Sequence, residues 1–115
     1  MAKAKDTDFS KLNTDIIEAI RLGQIEADSV EDKGTCNLDI TMLSMLDGIK
    51  LSSIEKSGIQ NVYQYGRGNT YCISCGFGGQ ADKNHFGNKA VVKYLKSQGW
   101  DCYIKYQTQI KYHEQ

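Results

Sequence analysis

Between Gly99 and Tyr106 the sequence switches strictly from face to face. Trp100, Cys102, Ile104 and Tyr106 fall on one side of an extended chain, and Asp101, Tyr103 and Lys105 fall on the other. A period of two with one apolar side is the pattern of a half-buried strand. Directly before it, Ala90, Val91, Tyr94 and Leu95 recur at helical spacing, with Asn88 as the expected cap and Gly99 as the expected stop. Ahead of that helix lie the glycine-rich run Gly76–Gly87 and a strand-like segment, Thr70–Phe77. Strand, loop, helix, strand in one uninterrupted stretch requires a helix that crosses over a sheet and returns the chain to it. The rest of the chain has to supply the partners.

Upstream, Leu12, Ile16, Ile17 and Ile20 predict a helix over Thr14–Leu22 that stops at Gly23. The acidic segment Gln24–Gly34 reads as a loop. From Thr35 to Met45 the period is again two, with Cys36, Leu38, Ile40 and Met42 on the apolar side. Asp47-Gly48 marks a turn, and Ser52 with Glu55 fits a capping box for a short helix, Leu51–Ser57, closed by Gly58. Asn61–Tyr65 and Thr70–Phe77, around Gly66-Arg67-Gly68-Asn69, read as a hairpin. The order is α, then βαββαβ. The fold class expected is α+β: an N-terminal helix followed by a ferredoxin-like sandwich, a four-stranded antiparallel sheet in the order 4-1-3-2 with helices on one face. The alternative is an α+β sandwich in which the first helix also packs on the sheet. Residues 1–10 read as a flexible tail and 11–115 as one domain.

Charge is balanced in total but not in place. Up to Glu55 there are 11 acidic and 6 basic residues, and beyond it 3 acidic and 8 basic. A basic second half can attract an anionic partner if it forms a surface of its own. No stretch approaches the roughly 18 apolar residues of a membrane helix, and Met1–Asp6 has no apolar segment behind its lysines. The expectation is a cytoplasmic protein with free thiols and no membrane partner.

Three places in the sequence are candidates for chemistry or recognition. Cys72-Ile73-Ser74-Cys75 has the spacing of a zinc knuckle, but within a strand its two thiols point to opposite faces, and His85 and His113 stand alone. No metal and no cofactor is expected. Cys36, Cys75 and Cys102 instead read as small core residues. The second place is the polar side of the sheet, where Tyr63, Tyr65, Tyr103 and Lys105, with Arg67 in the hairpin turn, are candidates for protein contact, since tyrosine and arginine are enriched at interfaces. The third is an anion-binding or nucleic-acid-binding surface. Gly78, Gly79 and Gln80 precede a helix N-terminus, Lys89, Lys93 and Lys96 form one stripe on that helix, and Lys83 lies nearby. Neither a P-loop nor a dinucleotide fingerprint can be written through these glycines. No nucleophile and base are fixed near one another, and Asp39 and Asp101 on a flat face lack the cleft that acid–base work requires, so no enzyme is expected.

Gly-Gly-Gln, a polar turn, a lysine-rich helix, Gly-aromatic-Asp and a tyrosine-rich strand, together Gly76–Tyr106, resemble in layout small accessory proteins encoded by bacteriophages. Some of these are inhibitors of host defence, including anti-CRISPR proteins, several with ferredoxin-like folds. The resemblance implies a stoichiometric binder and assigns no residue a role. The function expected is therefore a small non-enzymatic protein-interaction module or inhibitor. A nucleic-acid or nucleotide binder is the alternative, and homodimerisation through the open sheet face is a third reading.

Overall fold

A computed structural model describes residues 7–31, 36, 40–52, 58–59, 61–65, 69–74, 77 and 81–108. Helix α1 (Phe9–Ser29) leads into a four-stranded antiparallel sheet of β1 (Ile40–Asp47), β2 (Val62–Gln64), β3 (Tyr71–Ile73) and β4 (Asp101–Thr108), with α2 (Ala81–Ser97) between the last two strands. Across the sheet the order is β2-β3-β1-β4, which read from the other edge is the expected 4-1-3-2. The helix expected at Leu51–Ser57 falls mostly outside the described residues, so the helical layer described is α1 beside α2.

Helix α1 is longer than the sequence suggests at both ends. It starts inside the span read as a tail, because Asp8 caps it: its carboxylate accepts from the Lys11 backbone N–H at 3.1 Å. Thr7 Oγ1 accepts from the Lys50 N–H at 2.7 Å, which ties the same end to the chain after β1. At the other end the helix passes straight through Gly23 and through half of the expected acidic loop. Gly23 is buried, and its role is spatial. A Cβ there would lie 2.7 Å from the Phe77 ring, 2.8 Å from the Gly87 carbonyl oxygen and 3.0 Å from Val91.

Gly87 explains that crowding and corrects a second expectation. It belongs to α2, which begins at Ala81, so more than half of the expected glycine loop is helix. A Cβ at Gly87 would stand 2.3 Å from Cδ2 of Phe77. The two glycines thus form a smooth saddle where α1 and α2 meet, and the Phe77 ring lies in it. Asn88, expected as the cap, is instead buried one residue further along the same helix.

The helices run antiparallel and are pinned at both ends. Lys83 Nζ donates to the carbonyls of Ala27 and Val30 at 3.0 and 2.9 Å, satisfying the end of α1. At the opposite end Asp15, 6% exposed, accepts from Lys11 Nζ at 2.6 Å and from the Trp100 indole N–H at 2.8 Å. Lys11 also lies 5.2 Å from the Trp100 ring centroid. Gly99, at φ +94°, ends α2 as expected. The Trp100 N–H reaches back to the Leu95 carbonyl and the Gly99 N–H to that of Lys96, the double bond of a Schellman cap.

The core lies between the helices and the sheet: Leu12, Ile16 and Ala19 of α1, Val91 and Leu95 of α2, and Leu46, Tyr71, Ile73 and Cys102 of the strands. Cys102 is a core thiol, as expected. Cys36 lies outside β1, half-buried at a bend, and its backbone N–H donates to the Asp82 carboxylate at 2.8 Å. Strand β1, described from Ile40, extends through Asp47, two residues past the expected end at Met45. Cys75 lies outside the described residues. No helix among those residues is long and apolar enough to cross a membrane.

Candidate functional site

Ser44 hydrogen-bonds Asn88 of α2 and Leu46 lies in the core, so even-numbered β1 residues face the helices and odd-numbered ones face away. The pairing register carries this alternation across the sheet. Tyr63 pairs with Cys72, Cys72 with Met45, and Met45 with Tyr103. One row of the face turned away from α1 and α2 therefore reads Tyr63–Cys72–Met45–Tyr103.

That row has a definite relief. Cys72 and Met45 in its centre are each 1% exposed, while Tyr63 and Tyr103 at its ends are 49% and 36% exposed. Two sulfur-bearing side chains are thus flanked by two phenol rings with much of their surface in water. Tyr63 hydrogen-bonds Cys72, which opposes the effect of burial; burial is the larger cause and pushes the Cys72 thiol above its ordinary value. A thiol held protonated in this way is a packing group rather than a nucleophile.

At the β4 end the face turns acidic. Asp47 and Asp101 are opposite one another in the register. Thr70 Oγ1 donates to Asp47 at 2.7 Å. Desolvation first, then the Asp47 charge and its hydrogen bond, then Asp101, raise the Tyr103 phenol above its ordinary value. Lys105 is exposed on the same face, two residues further along the strand. The face therefore carries a basic residue, an aromatic one and a carboxylate pair in sequence along β4. Tyr65 is half-buried just beyond β2 and joins β3 through its N–H to the Thr70 carbonyl at 3.0 Å. Arg67 lies outside the described residues.

Of the residues expected to bind anions, the structure keeps some together and separates one. Lys89, Lys93 and Lys96 are all exposed on α2. Lys89 lies over the Phe86 ring at 5.2 Å, and Lys93 lines a groove of about 370 Å³ with Leu22, Ile25, Ala90 and Tyr94 between the two helices. Lys83 does not join them: its ammonium is committed to the α1 carbonyls. Gly78, Gly79 and Gln80 lie outside the described residues.

Sequence reasoning missed the polar seam inside the fold. Asp82, His85 and Asn88 are all buried on one side of α2, 1%, 7% and 2% exposed. Asn88 accepts from Ser44 Oγ at 2.6 Å and donates to the Asn84 carbonyl at 2.8 Å, while Asp82 holds Cys36. Positions 82, 85 and 88 recur at i, i+3 and i+6, a spacing that gives one polar stripe on a helix. The spacing is legible in the sequence, but the expected loop and the expected Asn88 cap cover the same residues. The stripe joins α2 to β1 and to the chain at Cys36, and its burial keeps it from acting as an open acid–base site.

No family model, curated protein or solved structure matches the chain.

Proposed function

We propose that this is a non-enzymatic protein-binding module that engages its partner through the sheet face turned away from α1 and α2. The observation that carries the reading is the Tyr63–Cys72–Met45–Tyr103 row. Its covered apolar centre and part-exposed phenols at both ends supply large, rigid contact area with a polar tip, the type of surface that tyrosine gives an interface. The Asp47/Asp101 pair beside Tyr103 favours a partner that brings a basic side chain to that end. The strand order and the placement of α1 and α2 on one side of the sheet support a ferredoxin-like frame for this platform. The layout shared by Gly76–Tyr106 with small phage-encoded inhibitors of host defence supports a stoichiometric mode of action in the cytoplasm.

A pull-down from a host lysate with the full chain tests the reading, run beside Tyr63→Ala and Tyr103→Ala. The expected result is a protein captured by the wild type and lost from both variants. Capture that survives both substitutions refutes the assigned surface. The exposed Lys89, Lys93 and Lys96 favour the second reading, a binder of nucleic acid or a nucleotide. It requires affinity for oligonucleotides that falls steeply with salt, and it gains from the loss of that affinity in a Lys89→Glu, Lys93→Glu variant.

A further inference from the structure

Helices α1 and α2 lie side by side with opposite net charge. Along α1 four acidic residues stand against two basic ones; along α2 four lysines stand against one aspartate. Pairing within the chain does not remove either surplus. Asp15 takes Lys11 and Glu18 takes Arg21, each at 2.6 Å, which leaves Glu26 and Asp28 as the uncompensated charges of α1. On α2, Asp82 is buried against the Cys36 N–H and Lys83 closes the end of α1, which leaves Lys89, Lys93 and Lys96. Glu26 and Lys93 stand on opposite walls of the groove between the helices. Both are exposed, and neither makes an ion pair with a described residue. Between them the groove is apolar, lined by Leu22, Ile25, Ala90 and Tyr94, with Ile25 54% exposed. The outer side of the helix pair is thus an apolar channel with an acidic bank and a basic bank.

We infer that this channel is the interface of a homodimer, in which a second copy of the chain lays its α2 over α1 and its α1 over α2. The charges select that arrangement. A face meets its own copy about a two-fold axis that runs either along the groove or across it. An axis across the groove stacks α1 on α1 and α2 on α2, setting acidic surplus on acidic and basic on basic, which is repulsive. An axis along the groove sets each helix antiparallel on the oppositely charged helix of the other copy, the layout of an antiparallel four-helix bundle. It also keeps residues at one level of the groove together. Glu26 of each copy then reaches Lys93 of the other, a contact made twice, and the exposed Ile25 of each copy lands at the small side chain of Ala90. The size fits a reversible dimer. With 21 and 17 residues, the helices overlap over about 25 Å at 1.5 Å per residue. Two helices about 10 Å apart make a face about 20 Å wide, so the contact buries roughly 500 Å² per copy, near the lower limit of specific interfaces. The dimer therefore belongs to the micromolar range rather than the nanomolar. Its two tyrosine rows face outward on opposite sides, so the contact leaves the face proposed for a partner uncovered.

Sedimentation of the purified full chain over a concentration series tests the inference without any partner. The expected result is a shift from monomer to dimer mass across the micromolar range. Glu26→Lys and Lys93→Glu are each expected to weaken the dimer roughly tenfold or more, because each reversal creates two like-charge contacts. The double reversal Glu26→Lys, Lys93→Glu is expected to restore the wild-type concentration dependence. Both positions are exposed, so the far-ultraviolet circular dichroism of all three variants should match the wild type. Mild oxidation reads the axis. An equal mixture of Ile25→Cys and Ala90→Cys chains is expected to form a disulfide between the two kinds of chain, beyond the wild-type background, since each residue of one copy lies against the other residue of its neighbour. A chain that stays monomeric at every concentration, a dimer indifferent to both single reversals, or a double reversal no tighter than the single ones overturns the inference. Ile25→Cys chains that link to one another in place of the mixed pair overturn it too.

Discussion

Replacing Gly87 with alanine gives the most direct test of the helix saddle. In a solvent-facing helix the change stabilises by about 1 kcal/mol, because alanine orders at lower conformational cost. Here the added methyl carbon would stand 2.3, 2.6 and 2.8 Å from three atoms of the Phe77 ring, where non-bonded carbons prefer about 3.5–4.0 Å. The ring has little room to retreat: it is 2% exposed, and its far end already lies 2.7 Å from where a Cβ on Gly23 would be. Overpacking a well-packed core costs about 1–3 kcal/mol, and a shortfall above an ångström against a fixed ring belongs at the upper end of that range. Gly87→Ala is therefore expected to lose about 1–2 kcal/mol net of its helix gain. Urea unfolding followed by circular dichroism measures this as a lower midpoint at unchanged slope. A second variant isolates the cause. Phe77→Leu alone loses about 1–2 kcal/mol through its cavity, but combined with Gly87→Ala the loss should fall short of the sum by about 1 kcal/mol, since the methyl then occupies space the ring has left. An alanine at position 87 that stabilises the protein, or two losses that simply add, would refute the reasoning.

Asn88→Ala strands the buried Ser44 hydroxyl and is expected to cost about 1–3 kcal/mol; pairing it with Ser44→Ala should recover part of the loss in the same urea assay, and no recovery would mean the bond is not the cause. Tyr103 should ionise above the ordinary phenol range of about 10, so its contribution to stability is present below that pH and disappears as pH rises through the elevated value. Asp47→Asn should bring the ionisation back down in a spectrophotometric titration, and an unmoved titration would remove Asp47 from the explanation. Cys72 should alkylate slowly at neutral pH and faster only in alkali, as followed by mass spectrometry at that residue; Tyr63→Phe should move the onset further up, because the bond opposing burial is gone. A downward move would contradict the assigned contact.

What could be read from the residues was what depends on near neighbours. The alternation from Trp100 to Tyr106 specifies a strand because side-chain direction in an extended chain is set one residue at a time, and β4 occupies Asp101–Thr108. Gly99 could be read as a stop because its cap is closed by carbonyls three and five residues back. Gly23 and Gly87 could not. A glycine that ends a helix and a glycine that lets an aromatic ring approach look alike locally, and the ring in question belongs to Phe77, which is distant in sequence from Gly23. Lysines posed the same difficulty. Lys83 and Lys89 are equivalent as residues, but only the first lies within reach of the end of α1. The tyrosine face was legible residue by residue, while the row that joins Tyr63 to Tyr103 required the register. The polar stripe Asp82–His85–Asn88 keeps helical spacing, but Gly87 within it has the local signature of a loop.

The two-residue rhythm of β4 also sorts its genetics. Asp101, Tyr103, Lys105 and Gln107 present side chains to the face turned away from α1 and α2 while their backbones hold β1; Ile104 and Tyr106 present side chains to the side of α1 and α2. Adjacent codons therefore report on different events. A substitution at an odd position edits what the face displays, and a proline at an even one edits the backbone without touching the β1 ladder. Alleles that change the displayed face and alleles that change the backbone edge should lie one residue apart, in a single short cassette that can be mutagenised to saturation.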